Sequence, residues 1–354
     1  MNLAKRGLSV ALFERRTVGS QASGVNFGGV RQHGRDLREL PLSSRARKIW
    51  AGLPELIGND CEFVPTGHLK LARNEVEMAT LERFAEDASE FDLGIELFGR
   101  NALRERFPWI GDAVFGASFC PSDGQANPRL VAPCFARAAR AAGARIHEHE
   151  AIVGATRSGD GFSLETEGGA SVRSAVLLNV AGAWAGQVAG WFGESVPLEP
   201  EPPNVQVTEP LPYRLKVNIG AVGGGIYARQ IPRGNLIFGG GRGWSDCDAI
   251  RARPVTESTR NAMARVTEIL PWAASAQVIR TWSGIEGYMS DGIPVIGPSS
   301  TTPGLIHAFG FSGHGFQLGP VIGELLAGLA IDGRSPISLD SFSIQRFKYT
   351  SRTV

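Results

Sequence analysis

The sequence lacks the features that mark several common classes of protein. It has only four cysteines, and they are scattered: Cys61, Cys120, Cys134 and Cys247. Because none has a partner at paired spacing, we expect neither a zinc site nor a disulfide framework, and no metal is predicted. This use of cysteine fits a reducing compartment, so a cytoplasmic location is predicted. The net charge is only +1, without a basic tract, so no nucleic-acid partner is expected. No secretory signal is recognised, and no apolar run predicts a transmembrane segment.

Glycine, in contrast, is abundant. There are 45 glycines in 354 residues, nearly double the roughly 7% share of an average protein. Many positions therefore need tight turns or a close approach of another group to the backbone. A chain of this length can bury a large core and is expected to form two domains.

The most informative stretch lies near the C-terminus. Residues Leu305–Phe309 form a short apolar run typical of a buried strand, and residues 318–331 are apolar enough for a buried helix. The residues between them, 310–317, contain three glycines within six positions. Because the start of a helix presents unpaired N–H groups, this turn could hold an anion or a ring that becomes anionic during reaction. An ordinary turn between strand and helix is the alternative interpretation.

The beginning of the chain has the pattern of half a nucleotide-binding unit. Residues 1–6 are typical of a helix that ends at Gly7, and residues 8–13 of a buried parallel strand that ends in Glu14. In a βαβ dinucleotide unit, an acidic residue at this place accepts hydrogen bonds from a ribose. The first strand and its GxGxxG loop should come before residue 1, where the sequence does not supply them. By itself, Glu14 could equally be a plain surface residue.

The rest of the chain alternates between two kinds of structure. Residues 177–184, LLNVAGAW, predict a strand, a glycine turn and a helix, which is a second place for a phosphate or ribose. Residues 217–243 have short strands separated by glycine turns, as in an antiparallel sheet. We therefore predict an α/β fold of two interleaved domains. One is built from residues 1–60, 122–197 and 278–345, and the other from residues 61–121 and 198–277.

Taken together, these stretches resemble the flavin-dependent superfamily of D-amino acid oxidase, glycine oxidase and sarcosine oxidase. The segments that carry the resemblance are SVALFER, LLNVAGAWAG, RTWSGIEGYMSDGIPVIG and GLIHAFGFSGHGFQLGPVIGELLAGL. The chain looks most like the subunits of opine oxidase, hydrogen cyanide synthase and D-amino acid dehydrogenase. The resemblance implies that the first domain is a Rossmann-like FAD-binding domain and the second an α+β substrate domain on a largely antiparallel sheet.

The resemblance also implies which residues contact FAD. Glu14 would bind the adenosine ribose, and Ile152 or Val153 would meet the adenine. The other implied contacts are Ser20, Ser23, Gly28, Gly29 and Val30 along the pyrophosphate and flavin, Gly182 and Trp184 along the dinucleotide, and Gly310, Gly313, His314, Gly315, Phe316 and Gln317 beside the isoalloxazine ring. The family's covalent attachment positions fall at Gly284 and Ser23, so the FAD is expected to be noncovalent.

The chain departs from its relatives where they bind the substrate carboxylate. Glu286 stands where glycine oxidases carry an arginine, and Gln317 stands where sarcosine oxidases carry a lysine. Arg229, beside Tyr227 on a predicted strand of the substrate domain, is the best remaining carboxylate clamp. Arg31 and Arg242 are weaker candidates, and each of these arginines could instead be an ordinary surface charge. Glu286 is expected to hold a substrate ammonium group, or else to form a salt bridge with a nearby arginine.

The function that the resemblance implies is oxidation of a C–N bond in a small amine or amino acid, by hydride transfer to flavin N5 and hydrolysis of the imine. One alternative is a dehydrogenase subunit that passes electrons to a partner subunit. Another is a truncated, non-catalytic remnant that binds no flavin.

Overall fold

Two groups of strands form the framework of this protein, whose computed structural model describes residues 1–347. The helices within these residues are α1 Asn2–Lys5, α2 Ala22–Val25, α3 Leu40–Ala51, α4 Leu53–Ile57, α5 Glu75–Asp87, α6 Arg100–Arg106, α7 Pro128–Ala141, α8 Ala185–Gly190, α9 Thr256–Ile269 and α10 Gly315–Asp332.

The strands are short, and most have two to eight residues between glycine-rich turns. They are β1 Ala11–Glu14, β2 Gly29–Val30, β3 His68–Ala72, β4 Glu96–Gly99, β5 Gly116–Cys120, β6 Gly124–Gln125, β7 Arg145–Glu148, β8 Ile152–Ser158, β9 Gly161–Thr166, β10 Ser171–Ser174, β11 Leu177–Asn179, β12 Leu198–Glu201, β13 Pro203–Pro210, β14 Asn218–Ala221, β15 Tyr227–Gln230, β16 Asn235–Arg242, β17 Trp244–Asp246, β18 Arg251–Arg253, β19 Val278–Ser283, β20 Glu286–Met289, β21 Val295–Pro298 and β22 Leu305–Phe309.

The first group consists of parallel strands and the helices that cover them. β1 pairs in parallel with β7, β11 pairs in parallel with β22, and β21 adds to β22 in the antiparallel direction. The apolar side of α10, including Leu318, Val321 and Leu325, is buried in the same core as Ile306 of β22 and Trp50 of α3. The predicted strand at residues 305–309 is thereby confirmed. The predicted helix is also confirmed, although it begins three residues earlier, at Gly315.

β1 and β11 each have one edge without a strand partner in residues 1–347. β1 pairs only with β7, and β11 pairs only with β22. Leu12 of β1 is 42% exposed and Val180, directly after β11, is 51% exposed, although both belong to apolar runs typical of buried strands. These exposed edges border the cavity described below.

The second group is an eight-stranded sheet. Its strand order is β19-β13-β16-β15-β14-β3-β5-β4, and every neighbouring pair is antiparallel except β14 with β3. Leu69 and Leu71 of β3 and Phe238 of β16 point into a core that α9 completes with Ala262 and Val266. The α/β fold with a second, largely antiparallel domain, as predicted from the sequence, is therefore confirmed.

The boundaries between the two domains stay a prediction. β19, Val278–Ser283, lies in a segment assigned to the first domain, yet it pairs with β13 at the edge of the eight-stranded sheet. Within residues 1–347, every helix is too short or too polar to cross a lipid bilayer.

Candidate functional site

Both groups of strands line one cavity of about 1460 Å³. Residues 8–16 and 172–184, which include β1 and β11, line one part of it. Residues of β3, β14 and β15 line another part, and the turn between β22 and α10 lies on the same cavity wall. A cavity of this size exceeds the roughly 300–1,000 Å³ of most small-ligand sites, as a dinucleotide together with a substrate would require.

The glycine turn before α10 presents backbone N–H groups to this cavity. Gly310 and Gly313 have φ angles of +70° and +82°, which glycine adopts without strain. The N–H of Leu318 bonds to the carbonyl of His314 at 3.3 Å, so the three preceding N–H groups have no partner inside the helix. Together with the helix dipole, these N–H groups favour negative charge at this point of the cavity.

Most of the residues that the resemblance assigns to FAD line the cavity. They are Glu14, Ser23, Gly28, Gly29, Ile152, Gly182, Trp184, Gly310, Gly313, His314, Gly315 and Phe316. The carboxylate of Glu14 accepts one hydrogen bond, from the N–H of Arg16 at 2.9 Å, and retains oxygen lone pairs for a ribose hydroxyl. The donors at the start of α10 suit a flavin ring that gains negative charge. The residues present therefore fit FAD.

Four of the predicted FAD contacts are not among the lining residues: Ser20, Val30, Val153 and Gln317. Val30 is fully buried in the core beneath α10, and Val153 is 54% exposed. The side-chain amide of Gln317 donates a hydrogen bond to the carbonyl of Ser43 at 2.9 Å, so it points toward α3. Their assignment to FAD stays a prediction.

A carboxyl group and two tyrosines form an acidic group on the cavity wall. Tyr288 donates a hydrogen bond to Oε2 of Glu286 at 3.2 Å, and Tyr227 lies close enough for its pKa to be raised by Glu286 as well as by burial. Burial raises the pKa of Glu286 to about 7, although the hydrogen bond from Tyr288 and the charge of Arg242 oppose this rise. Glu286 therefore exchanges a proton near neutral pH.

Arg242 also lines the cavity, but it is already paired. Its guanidinium forms a salt bridge with Glu201, and its Cζ lies 4.7 Å from the centre of the Tyr288 ring. Arg242 thus holds the tyrosine in place and has less capacity left for a substrate carboxylate.

Arg229, the arginine that the sequence favoured, lies outside the cavity lining. Its Nη1 donates to Oε1 of Gln125 at 3.1 Å, and its guanidinium packs 5.3 Å from the centre of the Phe27 ring. A Cβ atom at Gly28 would come within 2.7 Å of Nη2 of Arg229. Arg229 thus supports the segment that contains Phe27 and Gly28 from behind, and a role as carboxylate clamp stays a prediction.

Three other cations line the cavity instead, and we call Arg31, Arg35 and Lys70 the basic cluster. Arg31 donates to the carbonyl of His33, and Nε of Arg35 donates to the carbonyl of Arg31 at 3.1 Å. Nη1 of Arg35 is buried without a hydrogen-bond partner. Within residues 1–347, no carboxylate forms a salt bridge with any of the three, and the Lys70 ammonium donates to no protein acceptor.

The pKa values of the basic cluster reflect this lack of partners. Burial, followed by repulsion from Arg31, lowers the pKa of Arg35 to about 9. Burial, followed by repulsion from both arginines, lowers the pKa of Lys70 to about 8. Three like charges in a buried site favour the arrival of an anion.

Glu39 lies next to the cluster, but it does not neutralise it fully. Nδ1 of His314 is 2.8 Å from Oε2 of Glu39. Burial raises the pKa of Glu39 to about 7, and burial together with the nearby cations lowers the pKa of His314 well below its usual value. Both shifts favour the uncharged form of each side chain. The pair also fixes the first residue before α10 against the segment that precedes α3.

A neighbouring group has the residue types of a metal site. His33, His68 and Asp123 place ligating atoms within 4.8 Å of one another. However, Asp123 accepts the backbone N–H groups of Gln32 at 2.8 Å and His33 at 3.0 Å, and Nε2 of His33 is 2.7 Å from Oγ of Ser118. These hydrogen bonds already hold His33 and Asp123 in place, and the adjacent basic cluster repels a cation.

Sequence reasoning missed several of these residues. The sequence marks Arg31 only as a weak candidate, and Arg35, Lys70, His68 and Tyr288 are not among its predicted site residues. One signal was present: in HLKLA of β3, His68 and Lys70 alternate with leucines, which places both polar side chains on one face of the strand. A lysine within a strand whose other face is buried is a signal for a polar cavity.

The chain is similar to proteins of known activity along nearly its whole length. A family model described as FAD dependent oxidoreductase matches residues 1–329. Glycine oxidase of Geobacillus kaustophilus strain HTA426 is 28% identical over 354 residues, covering 97% of this chain and 92% of that protein. A subunit of opine oxidase from Rhizobium meliloti is 24% identical over 357 residues, covering 98% and 93%. The crystal structure of glycine oxidase from Geobacillus kaustophilus matches with a TM-score of 0.90 at 26% identity, covering 98% of this chain and 94% of that one.

Proposed function

The chain belongs to the FAD-dependent oxidoreductase family, and from this membership we propose that it oxidises the C–N bond of a small amino acid or amine. One observation supports this proposal most directly. A single cavity connects Glu14, which suits a ribose, to the turn before α10 and then to Glu286 and the basic cluster. Cofactor and substrate would therefore meet at the start of α10.

FAD supplies the redox chemistry when it is bound: it takes up a hydride, two electrons with one proton, from the carbon next to the substrate nitrogen. As the C–H bond breaks, the nitrogen lone pair forms the C=N bond of an imine. Water then hydrolyses the imine to a carbonyl compound and releases the amine nitrogen as ammonia, or as an amine from a secondary substrate.

The residues of this chain would orient the substrate and manage its proton. The basic cluster would bind the carboxylate, because Arg35 and Lys70 have donors without protein partners. Oε2 of Glu286 accepts from Tyr288, which leaves Oε1 to take a proton from the substrate ammonium group. Loss of that proton frees the nitrogen lone pair that the reaction needs. Holding both ends of the substrate fixes the reacting carbon, which contributes to rate by orientation.

The experiment is anaerobic mixing of the FAD-loaded protein with amino acids, followed through the flavin absorbance near ~450 nm. We expect bleaching by amino acids that carry a hydrogen on the α-carbon. The matched control is 2-aminoisobutyrate, which has the same charges but a methyl group in place of that hydrogen, and it should leave the spectrum unchanged. A purified protein that takes up no FAD, or a flavin that no amine bleaches, would contradict the proposal.

The electron acceptor is a separate question. The opine oxidase relative is by its name one subunit of a larger assembly, and we propose that an electron-accepting partner is used here too. Hydrogen peroxide formed in a one-to-one ratio with the oxidised substrate would instead identify oxygen as the acceptor.

A further inference from the structure

The basic cluster carries more positive charge than its neighbours balance. Arg31, Arg35 and Lys70 contribute three positive charges, and Asp123 contributes one carboxylate nearby. Glu39 faces His314, with Oε2 2.8 Å from Nδ1, and within residues 1–347 it forms no salt bridge with the three cations. The cluster therefore keeps donors without protein partners on two separate cations, Arg35 and Lys70, more than the single carboxylate of a simple amino acid needs.

We propose that the substrate is a dicarboxylic amino acid, with both carboxylates bound by Arg31, Arg35 and Lys70 and with the amine facing Glu286. This proposal rests on the proposed function and specifies the class of its substrate. It follows from the unpaired donors of Arg35 and Lys70, because an unpaired buried charge is costly and a ligand with two carboxylates removes that cost at both cations when it binds.

The turn before α10 lies between the acidic group and the basic cluster. A Cβ atom at Gly313 would lie 3.2 Å from the Tyr288 hydroxyl and 3.8 Å from Oε2 of Glu286. The next residue, His314, contacts Glu39 and lies near enough to the basic cluster for all three cations to lower its pKa. The acidic group and the basic cluster thus flank one turn, and a substrate placed over that turn reaches both.

The residues around the basic cluster leave polar atoms available for a ligand. Nζ of Lys70 lies against Gly34, where a Cβ atom would collide with it. Asn218, which lines the same wall, has a buried Oδ1 without a hydrogen-bond partner, and Nη1 of Arg35 is in the same condition. These free polar atoms, on residues that line the cavity, fit a ligand with several oxygen atoms and an ammonium group better than an apolar side chain.

The test compares ligands that differ only in the second charge. The FAD-loaded protein is mixed anaerobically with aspartate or asparagine, and with glutamate or glutamine, each as both enantiomers. We expect flavin reduction by one acidic amino acid at a kcat/KM about 10- to 100-fold above that of its amide, as the loss of a charge-assisted hydrogen bond predicts. In calorimetry, succinate should bind about 10- to 100-fold more tightly than butanoate.

Two variants test which residue causes the preference for succinate over butanoate. Lys70→Met should remove most of the preference for succinate over butanoate, whereas Lys216→Met, an exposed lysine just before β14, should retain it. The comparison of ligands on the unmodified protein decides the matter even where Lys70→Met fails to fold. Equal binding of succinate and butanoate would overturn the proposal.

The outcome for the substrate class can be separated from the outcome for the reaction. Flavin reduction by neutral amino acids as fast as by acidic ones would overturn the dicarboxylate proposal and leave the proposed oxidation intact. Selective succinate binding without flavin reduction by any amine would overturn the proposed oxidation, while the site for a dianion would stand.

Discussion

Glu286 is the residue whose chemistry differs most from what a carboxylate clamp would require. It lines the cavity, it accepts a hydrogen bond from Tyr288, and burial raises its pKa to about 7. An acid at this place repels a substrate carboxylate and attracts an ammonium group. In the proposed reaction, the separation between this acid and the basic cluster would set the orientation of the substrate.

The charge state of Glu286 leads to a prediction for pH dependence. With a pKa of about 7, Glu286 is protonated in acid and ionised above neutrality, so kcat/KM for amine oxidation should rise as pH increases through about 7. Glu286→Gln should abolish this rise and lower kcat/KM by about 100-fold, as the loss of a general base does. Steady-state kinetics from pH 5 to 9 measure both effects.

Glu199→Gln is the matched control, because Glu199 lies exposed on β12, directly opposite Tyr288 in the strand pair. That variant should keep the wild-type profile. If Glu286→Gln kept the wild-type rise of kcat/KM with pH, another group would have to control that rise.

At this scale the sequence could identify residue types but not which face of a sheet borders the cavity. Tyr227 and Arg229 are two positions apart on β15 and share one face, yet only Tyr227 lines the cavity, because Phe27 and Gly28 cover Arg229. Lys70 reaches the cavity because β3 pairs with β14, a strand about 150 residues later. Such long-range pairing leaves no local signal in the sequence.

At the scale of elements, strand β22 is anchored by a buried pair of side chains. Nε2 of His307 lies 2.8 Å from Oε2 of Glu194, which follows α8, and Glu194 also accepts hydrogen bonds from Ser299 and Ser300 after β21. Burial raises the pKa of Glu194, but these hydrogen bonds outweigh it and lower the pKa to about 2. The Glu194 carboxylate thus links β22, the segment after α8 and the segment after β21.

This carboxylate predicts how stability depends on acid. The pKa of Glu194 is lower in the folded state than its ordinary value of about 4.3 in the unfolded chain. Its contribution is therefore present above pH ~4.5 and is lost as pH falls toward 2. Glu194→Gln should lower the free energy of unfolding at pH 7 and flatten its decline between pH 5 and 3, as measured by urea denaturation.

Glu165→Gln, which changes an exposed carboxylate on β9, provides the comparison and should leave both values nearly unchanged. If Glu194→Gln showed the full wild-type loss of stability in acid, other carboxylates would have to account for it.

The elements that sequence reasoning predicted well are those with local signals. Gly7, with a φ angle of +85°, and the apolar run that ends in Glu14 indicated the first strand, and the glycine turn between residues 310 and 315 indicated the start of α10. The pairing of β19 with β13 had no such signal, because it is decided by packing between distant segments.

At the scale of the whole molecule, the cavity interrupts the packing between the two groups of strands. A ligand that fills it should stabilise the folded state by mass action. At about 100 times its dissociation constant, FAD is expected to contribute roughly 2.7 kcal/mol and to raise the melting temperature by roughly 4 °C. FMN should stabilise less, because it lacks the adenosine that reaches toward Glu14 and Ile152.

Thermal unfolding with each nucleotide measures this difference. The variant Glu14→Ala should weaken stabilisation by FAD and leave stabilisation by FMN unchanged, because only FAD has the adenosine ribose. Equal melting temperatures with FAD and FMN, or no effect of either, would show that the cavity does not bind the adenosine part as proposed.

The unbalanced charge of Arg31, Arg35 and Lys70 has a practical consequence for the choice of buffer. Near neutral pH phosphate is a mixture of monoanion and dianion and citrate is largely a trianion, and we expect both to enter the cavity and compete with the substrate. An apparent KM measured in those buffers would then increase with buffer concentration at constant ionic strength. Tris, whose charged form is a cation, should give values that stay constant, so it is the suitable medium for crystallisation trials and assays alike.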